Sequence, residues 1–196
     1  FEYPAILRKP TDYILQRFHA GGAPLRRLWY AFALSAVLFL PVPVLAHQVI
    51  GAGAPWYLVV ATTVGVLASL VQIFGLIRWS FLVPTLADIY IDPAASPAMR
   101  DSAAVTFQAF HRYAGVAIGE HLGYLFTSIW TLLLSFAIIE TGVVNPLFGW
   151  LGIVPALGVF MGVFEETGFK AAGAINAISY ILWSLWLIAL GIVLLL

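Results

Sequence analysis

Five long apolar stretches, at 28–46, 55–79, 113–139, 147–164 and 173–195, set the pattern of the chain. A helix needs about 20 apolar residues to cross roughly 30 Å of hydrocarbon, and each stretch is close to that length. The pattern therefore predicts an all-α fold, a polytopic transmembrane helical bundle of about five spans. Residues 1–27 differ, being polar and basic. Within them Tyr13, Ile14, Arg17 and Phe18 share one helical face, which predicts an interfacial amphipathic helix. The organisation expected is a cytosolic or interfacial segment, 1–27, and a transmembrane domain, 28–196, with no repeat and no second domain.

The punctuation between spans is local and readable. His19-Ala20-Gly21-Gly22-Ala23-Pro24 should break the first helix. Pro41 and Pro43 predict a kink or early unwinding near the far end of the first span, because each removes a backbone donor. Residues 47–54 read as a short turn and 80–97 as a loop or interfacial segment. Ser96 followed by Pro97 is a helix start, a capping oxygen and then a residue that needs no donor. From there a long helix is expected over roughly 97–139, followed by turns at 140–146 and 165–172. Trp29, Trp79, Trp56 and Trp150 fall at span ends, where indoles anchor at the membrane interface. Trp130, Trp183 and Trp186 lie deeper, where lipid, a partner or a bound pigment or quinone could meet them.

Composition agrees with the pattern: 62% of residues are hydrophobic and 9% charged, against about 25% charged in soluble domains. The zero net charge gives no attraction to nucleic acid, so no such partner is expected. The absence of cysteine excludes disulfides, thiol nucleophiles and cysteine-ligated metals. The first residue is Phe1, so a start upstream of it is expected. The positions of the basic residues matter more than their number. Arg8, Lys9, Arg17, Arg26 and Arg27 precede the first span, Arg78, Arg100 and Arg112 flank the connection between spans two and three, and Lys170 lies between four and five. These are all nine Lys and Arg residues, and the turns at 47–54 and 140–146 hold none. Cytosolic flanks collect such residues, so the N-terminus is expected inside and the C-terminus outside, in a multi-pass protein of the cytoplasmic membrane.

Ionisable groups within spans are costly and are functional candidates for that reason. Glu120 and His121 lie about eight residues past Arg112, roughly 12 Å deep at 1.5 Å per residue. In α-helical phase Tyr113, Glu120, Tyr124, Thr127 and Thr131 share a face. Gln72 and Asn176 are at similar depth on other spans. The expectation is an intramembrane polar cluster of Gln72, Glu120, His121 and Asn176, with Arg78 as countercharge. Its plainer meaning is that the groups satisfy one another and glue helices together. Its sharper meaning is a site for a ligand, proton or substrate. Gly115, Gly119 and Gly123 form a G-x-x-x-G-x-x-x-G stripe, a helix-packing surface.

Specific chemistries find less support. Haem b would need facing histidines at one depth, and His47 lies at the opposite end of its span from His121. No H-E-x-x-H zinc pattern occurs, and no catalytic or metal-ligating set is assigned. Phe107-x-x-x-His111 and Glu165-Glu166-x-x-x-Lys170 are similar to motifs of the CAAX-protease-like membrane family, but their order is reversed and Lys170 stands where that family has arginine.

Gly75-Leu76-Ile77-Arg78-Trp79, and above all the run from His111 to Gly123, HRYAGVAIGEHLG, resemble the bacterial membrane family catalogued as domain of unknown function 4386. The stretch from Leu147 to Gly158 and the last apolar helix are also similar. The resemblance implies a bacterial polytopic membrane protein; it carries no activity or cofactor. Function is therefore expected in one of three classes. The first is a non-catalytic subunit or accessory of a larger membrane complex, partnered by lipid and other membrane subunits. The alternatives are a small transporter or binder of an apolar ligand using the polar cluster, and an intramembrane enzyme with Glu120 or His121 as acid–base group.

Overall fold

The computed structural model describes residues 2–51 and 53–195, and among them every regular element is helical. The elements are α1 (Thr11–Phe39), α2 (Val42–Ile50), α3 (Tyr57–Phe81), α4 (Val83–Ile91), α5 (Pro97–Phe110), α6 (Gly123–Thr141), α7 (Leu147–Met161) and α8 (Ala172–Leu195). A π-helical stretch, His111–Leu122, runs without interruption from α5 into α6. Five helical runs are long and apolar enough to cross a membrane: Thr11–Ile50, Tyr57–Ile91, Pro97–Thr141, Leu147–Thr167 and Ala172–Leu195. The all-helical fold and the number of spans read from the pattern are thus borne out.

Local chemistry explains the breaks. Gly22 sits at φ +54° and ψ −150°, a backbone conformation open to glycine and strained for other residues, and it divides α1. Pro24 follows within the next turn, where a missing donor costs little. Pro41 separates α1 from α2. Ser96 caps α5, its hydroxyl accepting from the Met99 amide at 3.3 Å. Gly142, left-handed at φ +62°, ends α6 and donates its amide to the Ile138 carbonyl.

Two segments expected as irregular are helical. Residues 83–91 form α4, because Val83 and Pro84 open a helix there and Val83, Leu86 and Ala87 bury one face. Residues 47–50 continue α2, which stops only where Gly51 turns to φ +63°.

The chain divides into two compact units. The first comprises residues up to Ala36 together with Gln72–Gly119. Its core joins Ile6, Ile14, Leu15 and Phe18 to Trp29, Trp79, Val83, Leu86 and Phe107. The apolar face of the first part of α1 is therefore covered by the protein itself, with Phe18 5.7 Å from the Trp79 ring. Trp29 and Trp79, expected as interface anchors, are instead buried and stacked at 4.6 Å. Polar pairs close the rim of this unit. Asp88 of α4 accepts from Arg26 through both carboxylate oxygens at 3.0 Å and meets His19 Nδ1 at the same distance. Tyr13 donates its hydroxyl to Glu2 at 2.6 Å, and that bond, with the nearby charges of Arg17 and Lys9, holds the Glu2 carboxyl below its usual range.

The second unit comprises Val37–Val71 and Glu120–Leu196. Its core gathers Phe39, Leu58, Ala61, Trp130, Leu134, Ile138, Trp183, Trp186 and Leu190. Within it α7 packs against both α6 and α8 through small residues. A Cβ on Gly152 would come within 2.7 Å of the Trp186 ring, and one on Gly162 within 2.6 Å of the Tyr124 ring. The deep indoles find partners inside: Trp183 donates to Thr131 Oγ1 and Trp186 to the Phe148 carbonyl, each at 2.8 Å.

Candidate functional site

The run that carries the family resemblance is the run that folds as a π-helix. Glycine weakens α-helical preference by about 0.8–1.0 kcal/mol, and Gly115 and Gly119 both lie in this stretch. A π-helix bonds i→i+5 and is usually only one turn long; such turns are frequent at functional sites. Here it covers twelve residues. Each residue turns less about the axis than in an α-helix, so seven residues no longer return the chain to the same face. Tyr113 accordingly points outward while Glu120 and Tyr124 are half-buried, against the shared face expected from α-helical phase.

Within the first unit this stretch crosses α3 at glycine. A Cβ on Gly119 would fall 2.7 Å from the Gly75 Cα, and the reverse holds for Gly75. One turn along, a Cβ on Gly115 would occupy the place of the Arg78 guanidinium. Gly115 and Gly119 thus face α3, one making room for a charge and the other for backbone, while Gly123 is buried in the second unit.

Arg78 is 7% exposed. Its Nη1 donates to the Gly75 carbonyl of its own helix, and its guanidinium lies 5.1 Å from the Trp79 ring centroid. Nη2 approaches His111 Nδ1 at 3.5 Å. The other nitrogen of that imidazole, Nε2, is 2.9 Å from the Leu7 carbonyl, which can only accept. The proton therefore sits on Nε2, and the Nδ1 lone pair faces the arginine. His111 also stacks on Phe107 at 5.3 Å and meets the edge of Trp79 at 6.2 Å. The guanidinium thus meets the Gly75 carbonyl, the His111 imidazole and the Trp79 ring. Together these contacts tie the turn before α1 to α3 and α5.

The other expected residues fall as follows. Gln72, half-buried, belongs to the first unit with Arg78, whereas Glu120, His121 and Asn176 belong to the second. Asn176 is buried, and its amide donates to the Val159 carbonyl at 2.9 Å, in the last turn of α7, where helical carbonyls lack α-type partners. Gly162 leaves the space that the Asn176 amide fills. Among the described residues no group of three His, Asp or Glu side chains could hold a metal ion.

Sequence reasoning missed the cage around Arg78. Its signals were the adjacent Arg78-Trp79 pair and the one-turn spacing from Phe107 to His111. The contribution of the Leu7 backbone had no signal.

A family model described as a domain of unknown function, DUF4386, matches residues 2–191. No curated protein and no solved structure matches the chain.

Proposed function

The chain belongs to this DUF4386 family, and from that premise we propose that it is a non-catalytic subunit or accessory component of a larger membrane assembly. The observation that carries this reading is where the buried polar groups send their bonds. Arg78 bonds to Gly75, His111 to Leu7, Asn176 to Val159 and Trp186 to Phe148, all backbone carbonyls of the chain. Such bonds fix helices in place, as interhelical polar contacts do in membranes. In the outward direction, Ile178, Ile181, Leu182, Leu185, Ile188 and Ile192 of α8 present an apolar stripe to lipid and to neighbouring subunits. The placement of all nine Lys and Arg residues supports an N-terminus inside the cell and a C-terminus outside, in the cytoplasmic membrane. Gentle detergent extraction followed by a size measurement tests the proposal. The expected result is a stable assembly containing other chains; a lone monomer or homodimer would overturn it.

A second reading rests on Glu120 and His121, which are half-buried at the end of the π-helical stretch. This reading is a transporter or binder of an apolar ligand. Glu120→Gln that leaves the assembly intact while abolishing transport or ligand binding would favour it over the first.

A further inference from the structure

One charge stands apart from the rest. Over residues 28–77, 122–164 and 171–196 the only Asp, Glu, Lys or Arg is Glu140. It lies at the end of α6 within the second unit, exposed, and Tyr57 at the start of α3 donates its hydroxyl to it at 2.7 Å. Beside this pair is an open groove of about 550 Å³ walled by Trp56, Tyr57, Leu133, Phe136, Ile139 and Glu140. Trp56 is 81% exposed and meets the Tyr57 ring edge-on at 6.0 Å.

We propose that this groove seats a membrane lipid with an ammonium headgroup, its acyl chain along Leu133, Phe136 and Ile139 and its ammonium on the Glu140 carboxylate. The charge complementarity is one-sided: the Tyr57 hydroxyl supplies one hydrogen bond, and no side-chain cation in these segments balances the negative charge. An ammonium would complete it, donating to the carboxylate and lying against the face of the Trp56 ring. A groove of this volume falls in the range of about 300–1,000 Å³ that holds single small ligands. Aromatic side chains at a span end also sit at headgroup depth. The proposal requires only that this end of the spans lie at a membrane interface, and it stands whether or not the chain is a subunit of an assembly.

The test uses the full chain reconstituted with lipids that carry bromine in their acyl chains, which quench nearby tryptophan emission. Two probes are compared, a phosphatidylethanolamine and a phosphatidylglycerol with identical brominated chains. The part of the signal due to Trp56 is isolated by subtracting Trp56→Phe. The expected result is half-quenching of that part at about threefold lower mole fraction of the ethanolamine lipid, the size of preference a half-exposed ammonium–carboxylate contact gives. Glu140→Gln should erase the preference while leaving quenching by the glycerol lipid unchanged. Equal quenching of the wild-type protein by the two lipids overturns the proposal without recourse to any Glu140 variant. So does a preference that survives Glu140→Gln.

Discussion

The two compact units bury tryptophan in opposite ways. In the first, Trp29 and Trp79 stack nearly parallel, 13° apart, beside a buried guanidinium. In the second, Trp130 and Trp183 meet Phe39 edge-on at 5.1 and 5.4 Å, and Trp183 and Trp186 direct their N–H groups to a hydroxyl and a carbonyl. The difference follows from what each core holds. A buried charge must be partnered, and the Gly75 carbonyl and the π face of Trp79 contribute to that partnership here. In the second core the indole N–H is the group in need, and the Thr131 hydroxyl or the Phe148 carbonyl answers it. The first unit sets its stacked indoles beside a buried cation, and the second turns its indole N–H groups to polar acceptors.

The largest test of this contrast removes the ring under the guanidinium. Trp79→Ala should destabilise the protein by about 3–5 kcal/mol, since it opens a cavity in the aromatic core. Hydrogen exchange should rise first in α1 and α4, while α7 and α8 keep their protection; a uniform rise would erase the distinction between the units.

Next in size is the glycine crossing. Gly119→Ala places a Cβ against Gly75 backbone and should cost about 1–3 kcal/mol in denaturant unfolding. Gly191→Ala in α8, where nothing lies within 4 Å, should be neutral or slightly stabilising. Equal effects at the two positions would contradict the close approach.

How much was legible beforehand follows the range of the interactions. The break at Gly22 and the cap at Ser96 are written in neighbouring residues, and local patterns located both. Five spans follow from the lengths of five apolar runs, and the structure has them. The π-helical register of His111–Leu122 was not legible, because it depends on how near α3 comes at Gly75. The burial of Trp29 and Trp79 was hidden for a related reason: an indole at a span end can anchor in lipid or fold into a core, and only the residues that cover it decide. Ile14, Leu15 and Phe18 do so here. As for the expected polar cluster, position along a span gives a depth but no side-chain direction, so the partners of Asn176 and Arg78 could not be read. Asn176 turns to the end of α7, and Arg78 to Gly75 and His111.

A smaller effect probes the second unit. Trp183→Phe keeps the ring edge but removes the donor to Thr131, and should cost about 1–2 kcal/mol. Thr131→Val combined with it should add less than the sum of the single changes, and strict additivity would show that the bond contributes nothing.

The smallest effect is at the rim of the first unit. The Glu2 carboxyl is held below its ordinary value, so its contribution is present above the unfolded carboxylate pKa and fades as pH falls through the lowered folded value. Glu2→Gln should flatten only that acid limb of a melting-temperature profile and leave neutral pH almost unchanged. A change confined to neutral pH would be the opposite of this sign.

The proposed topology has five spans with every basic residue on one side of the membrane. The chain has no cysteine, so single cysteines can be introduced without background. In intact cells, a membrane-impermeant thiol reagent should label Ala54→Cys and Val143→Cys, and should reach Lys9→Cys, Asp92→Cys and Thr167→Cys only after the membrane is opened. Labelling of Lys9→Cys, Asp92→Cys or Thr167→Cys in sealed cells would contradict it.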